Sequence, residues 1–138
     1  MRAIKYIAVH CTAGSQLQKI DDMLLYWRKS LGWKMPGYHY VVKADGEVVQ
    51  LLEEAKVSNG VSGYNSQTVN VAYMGGVDLK NGMKAVDNRT AEQKASLRVL
   101  LARLKKKYPL ARIQGHRDFP NVKKDCPCFD ARVEYKDL

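Results

Sequence analysis

The chain has 138 residues, 46% hydrophobic and 27% charged, proportions that fit one globular domain and exclude a disordered chain or a multidomain assembly. No stretch approaches the ~20 apolar residues of a membrane-spanning helix, and the run after Met1 is too short and polar for a signal peptide. Twenty-three Lys and Arg against 14 Asp and Glu leave a formal charge of +9, an excess that attracts polyanions such as nucleic acid, an anionic cell wall or an acidic membrane face.

In chain order, Ile4 to Val9 is apolar and β-branched and predicts a buried strand, running into a loop at His10-Cys11-Thr12-Ala13-Gly14. Ile20, Met23, Leu24, Trp27 and Leu31 recur at helical spacing and predict one helix with a single apolar face, stopped at Gly32. Tyr38 to Lys43 and Glu47 to Leu52 predict a hairpin, since Ala44-Asp45-Gly46 between them tolerates positive φ. Residues 56–68 are rich in Ser, Asn and Gly and predict a loop, with Gly60 to Gln67 able to allow close backbone approach to a ligand. Val69 to Met74 predicts another strand, and Asp78 to Asn88 a polar connection. The second helix has the clearest signals. Thr90 and Gln93 form a capping box, Leu97, Leu100, Leu101, Leu104 and Tyr108 form the apolar face, and Lys105-Lys106-Lys107 suits the C-terminal dipole. Ala111 to Gln114 predicts a short strand ending at Gly115-His116, followed by an irregular tail. The order predicts an α/β domain over residues 1–138, a mixed central β-sheet flanked by helices. Two of its strands run into a histidine, and sites in open α/β sheets form at the carboxyl ends of strands.

His10, His116 and Cys126 are the first candidates for chemistry. Two imidazoles and a thiolate make a zinc donor set that leaves a fourth position for water. The residues by themselves allow other readings: His10 as a hydrogen-bonded core histidine, and Cys126 as a small buried apolar side chain. Three cysteines, an odd number, exclude a complete disulfide framework and suit reduced or metal-binding thiols. Cys11 alternates with His10 and is expected to face the core. Cys128 is open between packing near the site, ligating metal and pairing with Cys11. His39 is expected to point away from Tyr38 and to be structural. Trp27 belongs to the helical core stripe, and Trp33 is open between core and groove wall.

The ordered stretches Val9-His10-Cys11-Thr12-Ala13, Gly37-Tyr38-His39-Tyr40-Val41-Val42, Asp45-Gly46, Gly63-Tyr64-Asn65-Ser66, Gly115-His116-Arg117-Asp118 and Lys124-Asp125-Cys126-Pro127-Cys128-Phe129-Asp130 together resemble zinc-dependent N-acetylmuramoyl-L-alanine amidases, among them the amidase-type phage lysozymes and the peptidoglycan recognition proteins. The resemblance implies the peptidoglycan-recognition-protein-like amidase fold. It also implies one zinc ion per chain on His10, His116 and Cys126, with Tyr38 and Lys124 catalytic. The segment between His116 and Cys126 is slightly longer than in the compact phage enzymes, which makes Lys123 a rival to Lys124; the spacing to the cysteine favours Lys124. Lys124 can stabilise an oxyanion, and the Tyr38 hydroxyl can orient water or hydrogen-bond the intermediate.

The implied activity is hydrolysis of the bond between N-acetylmuramic acid and L-alanine in peptidoglycan, as in phage or prophage endolysins. Alternatives are a muropeptide-binding protein without catalysis, and an amidase that also restrains an RNA polymerase. The expected partner is peptidoglycan or a muropeptide, with no contacting residues assigned. The chain is expected to act as a monomer, without membrane insertion or a nucleic-acid partner. It is expected to be made in the cytoplasm without a signal peptide, to reach the cell wall after release, and to carry no separate wall-binding module.

Overall fold

A computed structural model describes residues 2–138. Its centre is a five-stranded mixed sheet in the order β3-β2-β4-β1-β7. The strands are β1 (Tyr6–Cys11), β2 (Tyr40–Val42), β3 (Val48–Gln50), β4 (Thr68–Tyr73) and β7 (Arg112–Gly115). β1 lies parallel to both β4 and β7, β2 is parallel to β4, and only β3 runs antiparallel, as the hairpin partner of β2. Gly46 turns that hairpin at φ +90°, a conformation glycine adopts without steric cost.

Strand alternation sorts the side chains onto two faces. Ile7, Val9 and Cys11 of β1, with Val69, Val71 and Tyr73 of β4, pack against Leu97, Leu100, Leu101 and Leu104 of helix α2 (Ala91–Lys107). The predicted capping box closes the N-terminus of α2: Gln93 N–H donates to Thr90 Oγ1 at 3.0 Å, and Thr90 N–H donates to Gln93 Oε1 at 2.9 Å. The Gln93 amide then donates to the carbonyls of Met74 and Val42, tying the helix to the strand ends. The opposite face carries Val41, Ala72 and Met74 against Met23 and Trp27, and Ala8 against Val61 and Phe119. His10 is on this second face.

Four elements differ from the sequence expectation. β1 starts and ends two residues later, so His10 sits inside the strand and not in the loop after it. The first helix is regular only over α1 (Ile20–Leu25) and continues as a π-helical turn, Tyr26–Ser30. Leu31 N–H donates to Tyr26 O, five residues back, and this wider turn rotates the apolar stripe and leaves Leu31 43% exposed. Residues 77–85 form a second small hairpin, β5 (Val77–Asp78) with β6 (Lys84–Ala85), where the sequence predicted a plain connection. The tail ends in a short helix, α3 (Ala131–Glu134).

Candidate active site

The site lies at the carboxyl ends of β1 and β7. His10 occupies the fifth position of β1, while His116 follows β7 directly in a 3-10 turn, His116–Asp118. β1 and β7 are parallel neighbours, so their histidines emerge at the same end of the sheet, with ring centroids 4.8 Å apart. Cys126 comes from the tail, which folds back across this end. Arg117 N–H donates to Cys126 O at 2.9 Å, and Tyr73 Oη donates to Pro127 O at 2.7 Å. Gly115 makes room for the tail, because a Cβ there would lie 2.6 Å from Pro127 Cδ. One donor atom each from His10, His116 and Cys126 lies within 4.8 Å of the others.

The surroundings suit a cation-binding triplet. His10 is 1% exposed, and burial, reinforced by the nearby Lys124 charge, lowers its pKa to about 4 against a hydrogen bond to Asn70 Oδ1 that acts the other way. Burial, then His10, then Lys124 lower His116 to about 4 as well. Both rings are therefore neutral at pH 7 and keep a lone pair for a ligand. Cys126 Sγ accepts the backbone N–H of Cys11 at 3.1 Å, which fixes the sulfur at the end of β1.

These three residues line an open cavity of about 230 Å³ together with Tyr38, Lys124, Trp27, Trp33, Asn59 and Gly60. Tyr38 packs against both His10 and Trp27, at centroid distances of 5.1 and 5.3 Å. Its hydroxyl donates to Cys11 O at 3.3 Å, and burial, then the nearby Cys126 and Cys11, push its pKa up. Lys124 is at the rim, and Lys123 is not among the lining residues. Trp33 serves as cavity wall and also packs against the Met23–Trp27 cluster. From the Gly60–Gln67 loop, Gly60 reaches the cavity.

Cys11 is 4% exposed in the core, and its sulfur lies 3.9 Å from that of Cys128. That is a contact and not a disulfide, and all three cysteines are free. Cys128 packs beside the site against Gly76 O at 3.3 Å. His39, directly before β2, is fully buried and does not line the cavity. It contacts Lys56 O at 2.7 Å, Ser58 Oγ at 3.2 Å and the Asn70 backbone N–H at 3.0 Å. Sequence reasoning missed Asn70, whose Oδ1 sits 2.8 Å from His10 Nε2. The one available signal was an amide residue inside an otherwise apolar strand, Val69-Asn70-Val71.

Residues 1–129 match the profile of a family described as N-acetylmuramoyl-L-alanine amidase. The endolysin of Klebsiella phage KP32 is 36% identical over 127 residues, 91% of this chain and 82% of that protein. Among solved structures, the Ph2119 endolysin from a Thermus scotoductus bacteriophage superposes with a TM-score of 0.79 at 28% identity, over 92% of this chain and 79% of its own. The bumblebee peptidoglycan recognition protein SA shares the fold with a TM-score of 0.77, over 100% of this chain and 83% of its own, at 17% identity.

Proposed function

The chain belongs to the N-acetylmuramoyl-L-alanine amidase family, and from that premise we propose that the cavity at the ends of β1 and β7 is its hydrolytic centre and that His10, His116 and Cys126 hold one zinc ion. The observation that carries this reading is the convergence of three donors of zinc-binding type, one on β1, one directly after its parallel neighbour β7 and the third on a returning tail. Two nitrogens and a sulfur form a donor set suited to zinc, and three protein ligands leave a position open for reacting groups. When bound, such an ion supplies Lewis acidity towards water and towards a substrate carbonyl.

The side chains divide the remaining work. Attack on the lactyl carbonyl places negative charge on its oxygen, and the Lys124 ammonium at the cavity rim stabilises that charge. Tyr38 Oη keeps its proton at neutral pH, because burial disfavours the phenolate, and it acts as a hydrogen-bond donor to the nucleophilic water or to the intermediate. His10 and His116 stay neutral and do not compete for the proton that the leaving amine must gain. Trp27 and Trp33 form an apolar wall, their rings stacked with centroids 6.2 Å apart.

The biological setting we propose is that of a phage or prophage endolysin acting on the cell wall after release from the cytoplasm. The identity to phage endolysins supports it. Among the described residues no helix is long and apolar enough to cross a membrane. The net charge of +9 suits a chain that must dwell near an anionic wall. The RNA polymerase partner gains no support from the site or from these relatives. Mass spectrometry of digested peptidoglycan tests the activity: zinc-loaded protein should release peptide stems, and a chelator should stop it. Cut glycan strands with intact stem linkages would refute the proposal.

A further inference from the structure

Beside His10, on the same face of the sheet, three polar side chains are completely buried: Asn70 of β4, Ser58 and His39, each at 0% exposure. They form a continuous hydrogen-bonded chain. His39 Nδ1 lies 3.2 Å from Ser58 Oγ, Asn70 Nδ2 lies 2.7 Å from that same oxygen, and Asn70 Oδ1 lies 2.8 Å from His10 Nε2. No water is needed to complete it, and burial makes each unmade bond costly.

Two obligate donors face the His39 ring, the Asn70 backbone N–H at Nδ1 and, farther off at 3.3 Å, Arg2 Nη2 at Nε2, and the shorter Asn70 contact together with the 2.7 Å approach of Lys56 O to Nε2 sets the polarity of the chain. The Asn70 backbone N–H can only donate, and it points at His39 Nδ1 at 3.0 Å. His39 Nδ1 is therefore an acceptor, and the ring proton is on Nε2, where it donates to Lys56 O at 2.7 Å. The Ser58 hydroxyl proton shares that single lone pair with the Asn70 N–H, at 3.2 and 3.0 Å, so Ser58 Oγ accepts from the group on its other side. That group must be the Asn70 Nδ2 donor, which turns Oδ1 towards His10. Facing an acceptor, His10 Nε2 must carry the proton, and Nδ1 is left with the lone pair.

We infer that Asn70, oriented by Ser58 and His39, is a positioning residue that fixes the tautomer and ring orientation of His10 so that Nδ1 is the atom offered to metal. This rests on reading His10, His116 and Cys126 as the zinc site. The backbone is shaped for the same purpose. A Cβ at residue 60 would lie 2.2 Å from Asn70 Cγ and 2.3 Å from Oδ1, so Gly60 vacates the space the amide fills. Partners of this kind typically change metal affinity by about 10- to 100-fold.

Two measurements test the assignment. In zinc-free, 15N-labelled protein at neutral pH, the His10 ring should show a protonated Nε2 and an unprotonated Nδ1. The reverse tautomer overturns the inference, with or without metal binding. Zinc affinity, read by competition with a chromophoric chelator, should fall about 10- to 100-fold in Asn70→Leu and recover in Asn70→Asp, which keeps an acceptor facing Nε2. A folded Asn70→Leu that binds zinc as the wild type does overturns it too. If Asn70→Leu does not fold, Ser58→Ala takes its place, expected to weaken zinc binding and to restore a mixture of His10 tautomers; unchanged values refute the chain. Failure of the wild-type protein to bind zinc would sink the zinc reading alone, since the tautomer measurement needs no metal.

Discussion

Replacing Arg89 with Met should remove the ionic staple that fastens the C-terminal tail to the start of α2. The Arg89 side chain is 2% exposed and bonds Asp87 at 2.9 Å and Glu134 at 2.7 Å. It also donates to Tyr135 Oη at 3.2 Å, and its guanidinium carbon lies 3.4 Å from the centre of the Phe129 ring. Breaking a buried ion pair by removing one partner costs ~3–5 kcal/mol. Here the two carboxylates stay partly hydrated, at 28% and 38% exposure, and Met keeps some packing on Phe129. The loss should therefore fall at the low end, about 3 kcal/mol, or a fall in Tm on the order of 10 °C for a chain of this size. The cost should also depend on pH. Hydrogen bonds from Arg89 hold Glu134 below the usual carboxylate range. For Asp87, burial acts upward, but the Arg89 guanidinium outweighs it, and the group again titrates low. Carboxylates depressed in the folded state contribute stability that is present above their ordinary pKa of about 4 and is lost as pH falls through the folded value. Urea unfolding followed by circular dichroism should give the full difference between variant and wild type at pH 7 and a smaller one at pH 3. A loss under about 1 kcal/mol at pH 7, or a difference that does not shrink in acid, would refute the staple.

Cys126→Ala should lose zinc, whereas Lys124→Ala should keep zinc and lose turnover by about 10²- to 10³-fold; equal metal loss in both, measured by elemental analysis after dialysis, would contradict the division of roles. Tyr38→Phe should keep both zinc and fold and reduce kcat by about 10²-fold, with unchanged stem release ruling out the hydroxyl. Gly60→Ala drives a methyl into the Asn70 amide and should destabilise the fold by about 1–3 kcal/mol. A chelator-competition titration of the same variant should show weaker zinc binding, and wild-type values in both assays would show that residue 60 is not confined.

Much of the architecture was readable from local pattern. The capping box at Thr90 and Gln93, the Asp-Gly hairpin and the apolar stripe of α2 are short-range signals. The contacts that satisfy them are within a few residues, so the chain declares them wherever it folds. The two histidines at strand ends and the cysteine in the tail were legible as residue types with zinc chemistry. The π turn at Tyr26–Ser30 was not, because helical periodicity assumes the 3.6-residue repeat that this turn abandons to seat Trp27 and Trp33 beside the cavity. The β5–β6 hairpin was hidden in a polar stretch whose strands are two residues long.

What the sequence determined alone is therefore the set of elements and the inventory of donors: a mixed sheet with a helix on a capped start, and His10, His116 and Cys126 among few competitors. Their meeting depends on contacts more than 100 residues apart in the chain, such as Cys11 N–H to Cys126 Sγ, and on the parallel pairing of β1 with β7, which no local pattern specifies. The same holds for Asn70, Ser58 and Arg89. Each reads as an ordinary polar residue until the fold closes over it. Only the tertiary structure removes their water, and once buried, each must find a partner whose chemistry is complementary and whose position the chain sets at long range.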